Sequence, residues 1–381
     1  MQPKILTDSF KRLIQVCNKN NFLCIKQLDG NKSSIQYGPL GSLLKRNILN
    51  EWICSHLNAT DVNVFPLEIL YPREKVFNAS FETSDQSSAA DIFSNYHTFS
   101  SFGQRLPVGF AVYGPCVNEN SEKNNNPTSV SDDDFLRGLQ AWTRLSVIFL
   151  CPVKNSMNWF YHWSKQRYLW WRKYSTIPSK FSMSDVTASA NGDHHLSIML
   201  EFPWGKFHLE TVTLRKNGAT LNNSSVENNN VESAVLTCET ELDLAVIAYL
   251  SNSFSEKWRG GETKNVLQLH FKLAPYKVCL FLEASDIESL KKLETLKSHL
   301  TKELKDSSIS LFSSPVLEHS SSISTSFDRL DEMGVPYIIV LNEKSLLTGI
   351  AGLRNRDTTL QEQVHIAELT PKLVKYLKIR T

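Results

Sequence analysis

The chain has 381 residues, of which 41% are hydrophobic and 21% are charged, and its formal net charge is +2. This composition is typical of a globular protein, and the length allows two or three domains of about 150 residues each. A chain so close to neutral does not bind nucleic acid through its overall field, so any such contact must be local. No apolar run approaches the ~20 residues of a membrane-spanning helix, so we expect a soluble chain without a membrane partner.

Neither the cysteines nor the histidines follow a pattern typical of a disulfide framework or a metal site. The seven cysteines are scattered and include no C-x-x-C pair, which fits a reducing compartment. His194 and His195 are adjacent, but no acid or cysteine lies at ligand spacing from them. The chain also lacks a G-x-x-x-x-G-K-[ST] phosphate loop and a G-x-S-x-G nucleophile turn. We therefore predict no metal, no cofactor and no catalytic residue.

In chain order, the first predicted element is basic and weakly amphipathic, and it is either a domain helix or a mitochondrial presequence. The next helix has apolar residues at four-residue intervals, at Leu40, Leu44, Ile48 and Trp52. The strand at 143–152 is almost entirely apolar, which predicts a central position in a sheet. The predicted helices of this half cover 38–57, 155–175 and 241–254, and the predicted strands cover 105–117, 143–152 and both halves of 195–212.

Polar stretches interrupt these elements. Residues 118–134 and 217–233 are rich in Asn and Ser, and residues 78–104 are rich in Ser with scattered Phe. Such segments bury too little apolar surface to offset the entropy of ordering, so we predict surface loops.

After residue 262 the pattern changes to short alternating strands and helices, which predicts a small α/β domain with a mixed sheet. A helix at 286–304 is predicted to be capped by Ser285 or Asp286. A further helix is predicted to start from a capping box at Thr358 and Gln361. The remaining predicted strands are 266–275, 277–283, 308–312, 336–343 and 346–354, and the last predicted helix is 370–379.

Several segments resemble class II aminoacyl-tRNA synthetases of the glycyl type: "YGPLGSLLKRNILNEW", "LPVGFAVYG", "FPWGKFHLET" and "DLAVIAYL". The C-terminal unit, with "GLRNRDTT", resembles the anticodon-binding domain of glycyl-, prolyl- and histidyl-tRNA synthetases. Together with "VFPLEIL", "WFYHWSKQRYLWWRK" and "LAPYKV", and over nearly the whole chain, the sequence resembles the accessory subunits of mitochondrial DNA polymerases.

This resemblance implies an α+β and α/β fold. A class II synthetase-like core with an antiparallel sheet is expected over residues 1–262, followed by an anticodon-binding-like domain over residues 263–381. Active synthetases of this type bind the α- and γ-phosphates of ATP with two arginines, and the aligned positions here are Asn118 and Leu244. Neither side chain carries a positive charge, so the resemblance implies that the ATP-binding positions are lost and that the chain is not an enzyme.

The motif "GLRNRDTT" leaves two interpretations open. In one, Asp357 and Thr358 cap the following helix while an arginine pairs with Asp357 or a carbonyl. In the other, the motif contacts nucleic acid or a polymerase, because Arg354 and Arg356 point to one face of an extended strand. The resemblance implies docking of the C-terminal domain on the catalytic subunit, and the expected interface residues are Gly349, Ile350, Leu353 and Arg354, with Arg356 expected to contact nucleic acid.

The helix "WSKQRYLWWRKY" also leaves two interpretations open, a phosphate-binding edge or an ordinary amphipathic helix with solvated cations. The candidate nucleic-acid contacts on this helix are Lys165, Arg167, Arg172 and Lys173.

The resemblance further implies a single catalytic polymerase subunit as partner, contact with DNA that includes duplex, and a location in the mitochondrial matrix at the nucleoid. Vertebrate members of the family form a homodimer through a helical insertion, which is reduced here to residues 71–104, so a homodimer is not the expected state. A synthetase-like dimer through residues 40–57 is the alternative. Two other functions stay open at this point, a catalytically silent tRNA-binding module and an active glycyl-like synthetase.

Overall fold

A computed structural model describes residues 8–27, 33–57, 62–69, 106–117, 141–190, 192–202, 205–216, 233–313 and 323–378. The stretches predicted as surface loops lie outside these residues, apart from Ser233, which opens a strand.

The described residues form α-helices and β-strands that we number in chain order. The helices are α1 Asp8–Lys19, α2 Pro39–Leu57, α3 Ser156–Lys173, α4 Leu242–Ser253, α5 Ile287–Asp306, α6 Ile323–Glu332, α7 Glu343–Thr348 and α8 Ile366–Tyr376. The strands of the first half are β1 Leu23–Gln27, β2 Ser33–Tyr37, β3 Val64–Glu68, β4 Val108–Val117, β5 Ala141–Pro152, β6 Phe181–Met183, β7 Thr187–Ala188, β8 His194–Phe202, β9 Gly205–Arg215 and β10 Ser233–Glu241. The later strands are β11 Phe254–Arg259, β12 Glu262–Leu267, β13 Val278–Leu282, β14 Leu311–Ser313, β15 Tyr337–Leu341, β16 Ile350–Asn355 and β17 Gln361–His365.

The large sheet has eight strands in the order β3-β4-β5-β10-β9-β8-β6, with β7 paired to β8. All described pairs in it are antiparallel except β3 with β4. Strand β5 is central, as its apolar sequence predicted. Val147 and Phe149 belong to the main core cluster, whereas Ile148 and Leu150 join Phe110 in a second cluster. A strand buried on both faces needs such a continuous apolar run.

Helices α2, α3 and α4 pack on this sheet and on each other. The four-residue rhythm of α2 is confirmed, because Leu40, Leu44, Ile48 and Trp52 are all buried. Helix α4 is buried along its whole length except at Ser251, so it is the central helix of this layer.

The second sheet has the order β14-β13-β15-β16-β17, and it is mixed, as predicted. Strands β14, β13 and β15 are parallel, whereas β16 and β17 return antiparallel. The cap predicted for α5 is also present, since the Asp286 side chain accepts a hydrogen bond from the Ser289 amide. The hairpin β11–β12 precedes this sheet, and the predicted domain boundary after residue 262 falls within the hairpin and stays a prediction.

Three predicted elements are wrong in whole or in part. The strand expected at 346–354 begins only at Ile350, because residues 343–348 form helix α7, whose first turn is capped by the Asn342 side chain accepting from the Ser345 amide. The helix expected from Thr358 is instead a turn followed by strand β17. The Asn355 side chain accepts hydrogen bonds from the amides of Asp357 and Thr358, and Thr359 has a φ of 60°, so the chain reverses and pairs with β16. The strand expected at 266–275 ends at Leu267, because the amides of Leu273 and Ala274 turn back to the carbonyl of His270.

Candidate functional site

The first candidate residue, Arg354, lies on β16 with its side chain directed into the protein. Its guanidinium forms two parallel hydrogen bonds of 2.8 Å to the carboxylate of Asp331 on α6. Arg259 of the β11–β12 hairpin adds a third at 2.7 Å, and the Asp331 side chain is only 1% exposed. The Arg354 guanidinium also lies over the ring of Phe327, 4.9 Å from its centroid. We call Asp331, Arg354 and Arg259 the Asp331 cluster, and it joins three elements of the C-terminal half.

Arg356 follows two residues later and is also buried, with 2% of its surface exposed. Its guanidinium donates to the carbonyls of Gly334 at 2.8 Å and Leu269 at 3.0 Å, and to the carboxylate of Asp357 at 2.9 and 3.1 Å. Burial raises the pKa of Asp357, but the hydrogen bonds from Arg356 and Gln268 and the positive charges of Arg356 and Lys257 together outweigh burial and lower that pKa. The side chain therefore fixes the β16–β17 turn against the segment that leads into the second sheet.

The contacts of Arg354 and Arg356 distinguish between the two interpretations of the "GLRNRDTT" motif. Pairing of an arginine with Asp357 and with carbonyls, one part of the first interpretation, is present, although the helix cap is not. The nucleic-acid contact predicted for Arg356 and the interface predicted for Leu353 and Arg354 need correction, because all three side chains are buried within the chain. Gly349 and Ile350 differ, since Gly349 ends α7 with a φ of 68° and Ile350 is 39% exposed.

On α3 the predicted basic residues divide between two faces. Lys165 and Lys173 are exposed and Arg172 is half-buried, with its guanidinium over the ring of Tyr168. Arg167 is 1% exposed, so its predicted contact with nucleic acid needs correction. Its position follows from helical spacing, because it lies four residues after Trp163, on the face that packs against the sheet.

A buried network surrounds Arg167. Its Nε and Nη2 atoms donate to Glu210 of β9 at 2.6 and 3.1 Å, and the Trp171 indole donates to the same carboxylate at 2.6 Å. The His56 ring lies 3.2 Å from Arg167 Nη1, and burial together with that positive charge lowers the pKa of His56 well below its ordinary value. Both partners of the ion pair are 1% exposed, so this network holds α2, α3 and β9 together and is closed to solvent.

The sequence interpretation missed Asp331 and Glu210, although weak signals for both exist. Glu210 interrupts a strand that is otherwise largely apolar or β-branched, and Asp331 lies four residues after Phe327 on the inner face of an amphipathic helix. A carboxylate at a core position requires a cationic partner.

Two positions, Asn118 and Leu244, align with the ATP-binding arginines of active synthetases. Asn118 lies outside the described residues. Leu244 lies in the first turn of α4 and is 6% exposed, packed in the main core.

The cations placed near the end of β10 are already paired. Asp243 accepts from Lys45 Nζ at 2.7 Å, from the Tyr37 hydroxyl at 2.8 Å and from a backbone amide, while Arg144 donates to Glu239 at 2.5 Å. Burial and the neighbouring Asp243 raise the pKa of Glu241 to about 7. Cations held by carboxylates in this way offer little attraction to a triphosphate.

Within the described residues, no group of His, Cys, Asp and Glu is arranged to hold a metal ion. None of the described helices is long and apolar enough to cross a membrane.

The two sheets and their helices define the class of this protein. The fold is that of a class II aminoacyl-tRNA synthetase-like core followed by an anticodon-binding-like α/β unit. A family model described as "Anticodon binding domain" matches residues 286–376, which include α5 through α8.

Comparison with curated proteins narrows the resemblance. The chain is 27% identical to DNA polymerase subunit gamma-2 of Mus musculus, over 90% of this chain and 83% of that protein. It is 26% identical to the mitochondrial DNA polymerase subunit gamma-2 of Drosophila melanogaster, over 67% and 72% respectively. The glycine–tRNA ligase of Deinococcus radiodurans is 26% identical over 77% of this chain and 66% of the ligase. The resemblance seen in the sequence, to polymerase accessory subunits and to glycyl-type synthetases, is therefore confirmed.

Proposed function

We propose that this chain is a non-catalytic accessory subunit of the mitochondrial DNA polymerase. In this role it binds the catalytic subunit in the mitochondrial matrix, at the nucleoid, and strengthens the hold of that subunit on primer–template DNA. The observation that carries the proposal is the similarity to DNA polymerase subunit gamma-2 over 90% of the chain. The buried Leu244 and the carboxylate-paired cations beside it support the absence of synthetase activity.

The docking surface that we propose for the catalytic subunit combines the exposed part of the predicted interface with α7. Leu347 is 86% exposed, and Gly349 and Ile350 lie two and three residues after it. Ile287, which is 71% exposed, starts α5, and the two helices are linked because the Ser285 amide donates to Glu343 at 2.9 Å. Exposed apolar side chains that are grouped in this way are typical of protein interfaces.

The effect on processivity follows from added contacts. An accessory chain that binds both the polymerase and the DNA slows dissociation of the complex, since most differences in affinity are differences in the dissociation rate. Lys165, Arg172 and Lys173 are the cations that we propose for the DNA contact, and their contribution falls as salt rises.

We propose one accessory chain per catalytic chain. The segment that replaces the dimer insertion of vertebrate members, residues 71–104, lies outside the described residues. The alternative dimer through α2 lacks support, because the apolar stripe of α2 is buried within the chain itself and its outer face carries the polar side chains Ser42, Arg46 and Asn50.

Primer extension with the catalytic subunit tests the proposal. We expect longer products per binding event when this chain is added, and a complex whose mass corresponds to one copy of each subunit. Unchanged product length at saturating concentrations of this chain contradicts the proposal.

A second candidate, a tRNA-binding module, is favoured by the anticodon-binding match and by the similarity to glycine–tRNA ligases. It predicts a gel shift of tRNA together with no association with the polymerase. An amino-acid-dependent exchange of pyrophosphate into ATP indicates instead that the chain is an active synthetase.

A further inference from the structure

The outer face of α3 carries a regular ridge of exposed side chains. Tyr161, Lys165, Leu169 and Lys173 follow each other at intervals of four residues, and all four are exposed. Tyr161 is 55% exposed and Leu169 is 44% exposed, which is high for large apolar side chains on a helix whose other face is buried. We call these four residues the α3 ridge.

The segment around the ridge is positively charged. From Val153 to Ser184 the sequence contains six lysines and arginines and no aspartate or glutamate. Arg167 is paired with Glu210 in the core, whereas the other five form no ion pair with any described residue. A ridge of this charge is complementary to a polyanion.

We propose that the α3 ridge binds single-stranded nucleic acid, with Tyr161 and Leu169 packing against bases and Lys165 and Lys173 contacting phosphates. Single-strand binding sites combine aromatic side chains, on which bases stack, with cations along the backbone, and Tyr161 with Lys165 and Lys173 supplies both on one face, while Leu169 adds an apolar contact. Successive ridge residues lie about 6 Å apart along the helix axis, at 1.5 Å per residue. A stacked strand of B-form DNA rises only about 3.4 Å per nucleotide, so the spacing fits an extended strand whose bases have separated from each other.

The ridge is held on a rigid support. On the opposite face of α3, Trp163 and Trp171 are buried and Arg167 is fixed by Glu210, so binding orders little of the backbone. The biological setting, an unpaired strand near a primer–template junction, rests on the proposed function, whereas binding at the ridge does not.

Fluorescence anisotropy with the full chain tests the proposal. The probes are a labelled oligothymidylate and a labelled duplex of the same length, each titrated at several salt concentrations. We expect tighter binding of the single strand, a loss of about fivefold or more for Tyr161→Ala, and a fall of about 0.7 in the log–log salt slope for each of Lys165→Ala and Lys173→Ala.

Matched controls separate the ridge from the general surface. Trp258 is 74% exposed on the β11–β12 hairpin, and Lys291 is exposed on α5. We expect Trp258→Ala and Lys291→Ala to leave single-strand affinity unchanged, and we expect all of these variants to keep the melting temperature of the parent chain.

Three outcomes overturn the proposal. The first is the absence of single-strand binding, and the second is equal affinity for strand and duplex with no effect of Tyr161→Ala. The third is that Tyr161→Ala weakens association with the catalytic subunit but not with the oligonucleotide, which makes the ridge a protein interface. Primer extension with the parent chain is measured in parallel, so that a failure to stimulate the polymerase counts against the proposed function alone.

Discussion

Replacing Asp331 with alanine removes the shared acceptor of the Asp331 cluster and leaves two arginines without their partner. Arg354 is the more affected, because its side chain is 8% exposed and both of its hydrogen bonds to the carboxylate are lost. Arg259 is 20% exposed and reaches water more easily. Breaking a buried ion pair by removing one partner costs about 3–5 kcal/mol. We expect the lower half of that range, about 3 kcal/mol, because Arg354 keeps its contact with the Phe327 ring.

The loss should be local to the second sheet, since Asp331 joins α6 to β16 and to the β11–β12 hairpin. Urea unfolding measures the free energy, and amide hydrogen exchange of β15 and β16 shows where protection falls. Asp306→Ala, at an exposed position on α5, is the matched control and should change the free energy of unfolding by less than about 0.5 kcal/mol.

A double variant separates loss of the charge pair from loss of packing. Asp331→Leu with Arg354→Leu leaves no buried charge of this pair, and replacement of a buried pair by apolar residues is often neutral or stabilising. We expect the double variant to recover most of the stability lost in Asp331→Ala. A loss below about 1 kcal/mol in Asp331→Ala, or a double variant no better than the single one, refutes the assignment of Arg354 as a buried structural residue.

Four further predictions follow from the same contacts. Arg167→Leu should lower the free energy of unfolding by about 3 kcal/mol in urea titrations, because it strands the Glu210 carboxylate in the core; a variant as stable as the parent contradicts the burial of this pair. Glu241→Gln should raise the free energy of unfolding at pH 8 by up to about 3 kcal/mol and have no effect below pH 4.5. The pKa of Glu241 is about 7 in the folded state and about 4.5 in the unfolded state, so the carboxyl of the parent chain destabilises the fold increasingly as the pH rises from 4.5 to 7. Urea titrations of parent and variant at several pH values measure this difference, and a difference that does not grow with pH contradicts the prediction. Leu244→Arg should destabilise the chain by several kcal/mol without restoring ATP binding, measured by urea unfolding and calorimetry, because the side chain enters a packed core; tight ATP binding by this variant weakens the non-enzymatic proposal. Leu347→Glu should weaken association with the catalytic subunit at least tenfold, measured by surface plasmon resonance, at unchanged melting temperature. The control Leu360→Glu, at a leucine that is 72% exposed, should not weaken it.

The elements of the fold that the sequence predicts correctly are those with local causes. The buried stripe of α2 repeats every four residues, and the cap of α5 is one side chain bonded to an amide three residues later. The strand β5 is apolar at every position from Leu145 to Cys151 except Ser146. Such patterns need no knowledge of distant partners.

The wrong helix prediction at Thr358 has a physical origin in competing local hydrogen bonds. Thr358 and Gln361 have the spacing of a capping box. The Asn355 side chain instead accepts hydrogen bonds from the amides of Asp357 and Thr358, and a capping box would need the Thr358 amide. The chain then reverses and pairs with β16. Local hydrogen bonds of this kind can stabilise a turn as well as a helix, and only tertiary pairing decides between them.

The basic residues illustrate the same limit. Arg354 meets Asp331 across 23 positions of sequence, and Arg167 meets Glu210 across 43. Nothing in the immediate neighbourhood of either arginine shows that its partner is a buried carboxylate. Helical spacing did contain the correct answer for Arg167, because it shares a face with Trp163, whereas Lys165 does not.

The burial of these arginines changes how a nearly neutral chain can contact DNA. Arg354, Arg356 and Arg167 lie inside, and each is bound to a carboxylate, so their charges add almost nothing to the external field. Along α3 and the segment that follows it, from Val153 to Ser184, five lysines and arginines besides the buried Arg167 stand without any aspartate or glutamate in the sequence. A net charge of +2 therefore understates the local field on α3, and a contact with nucleic acid confined to that helix needs no excess of positive charge elsewhere.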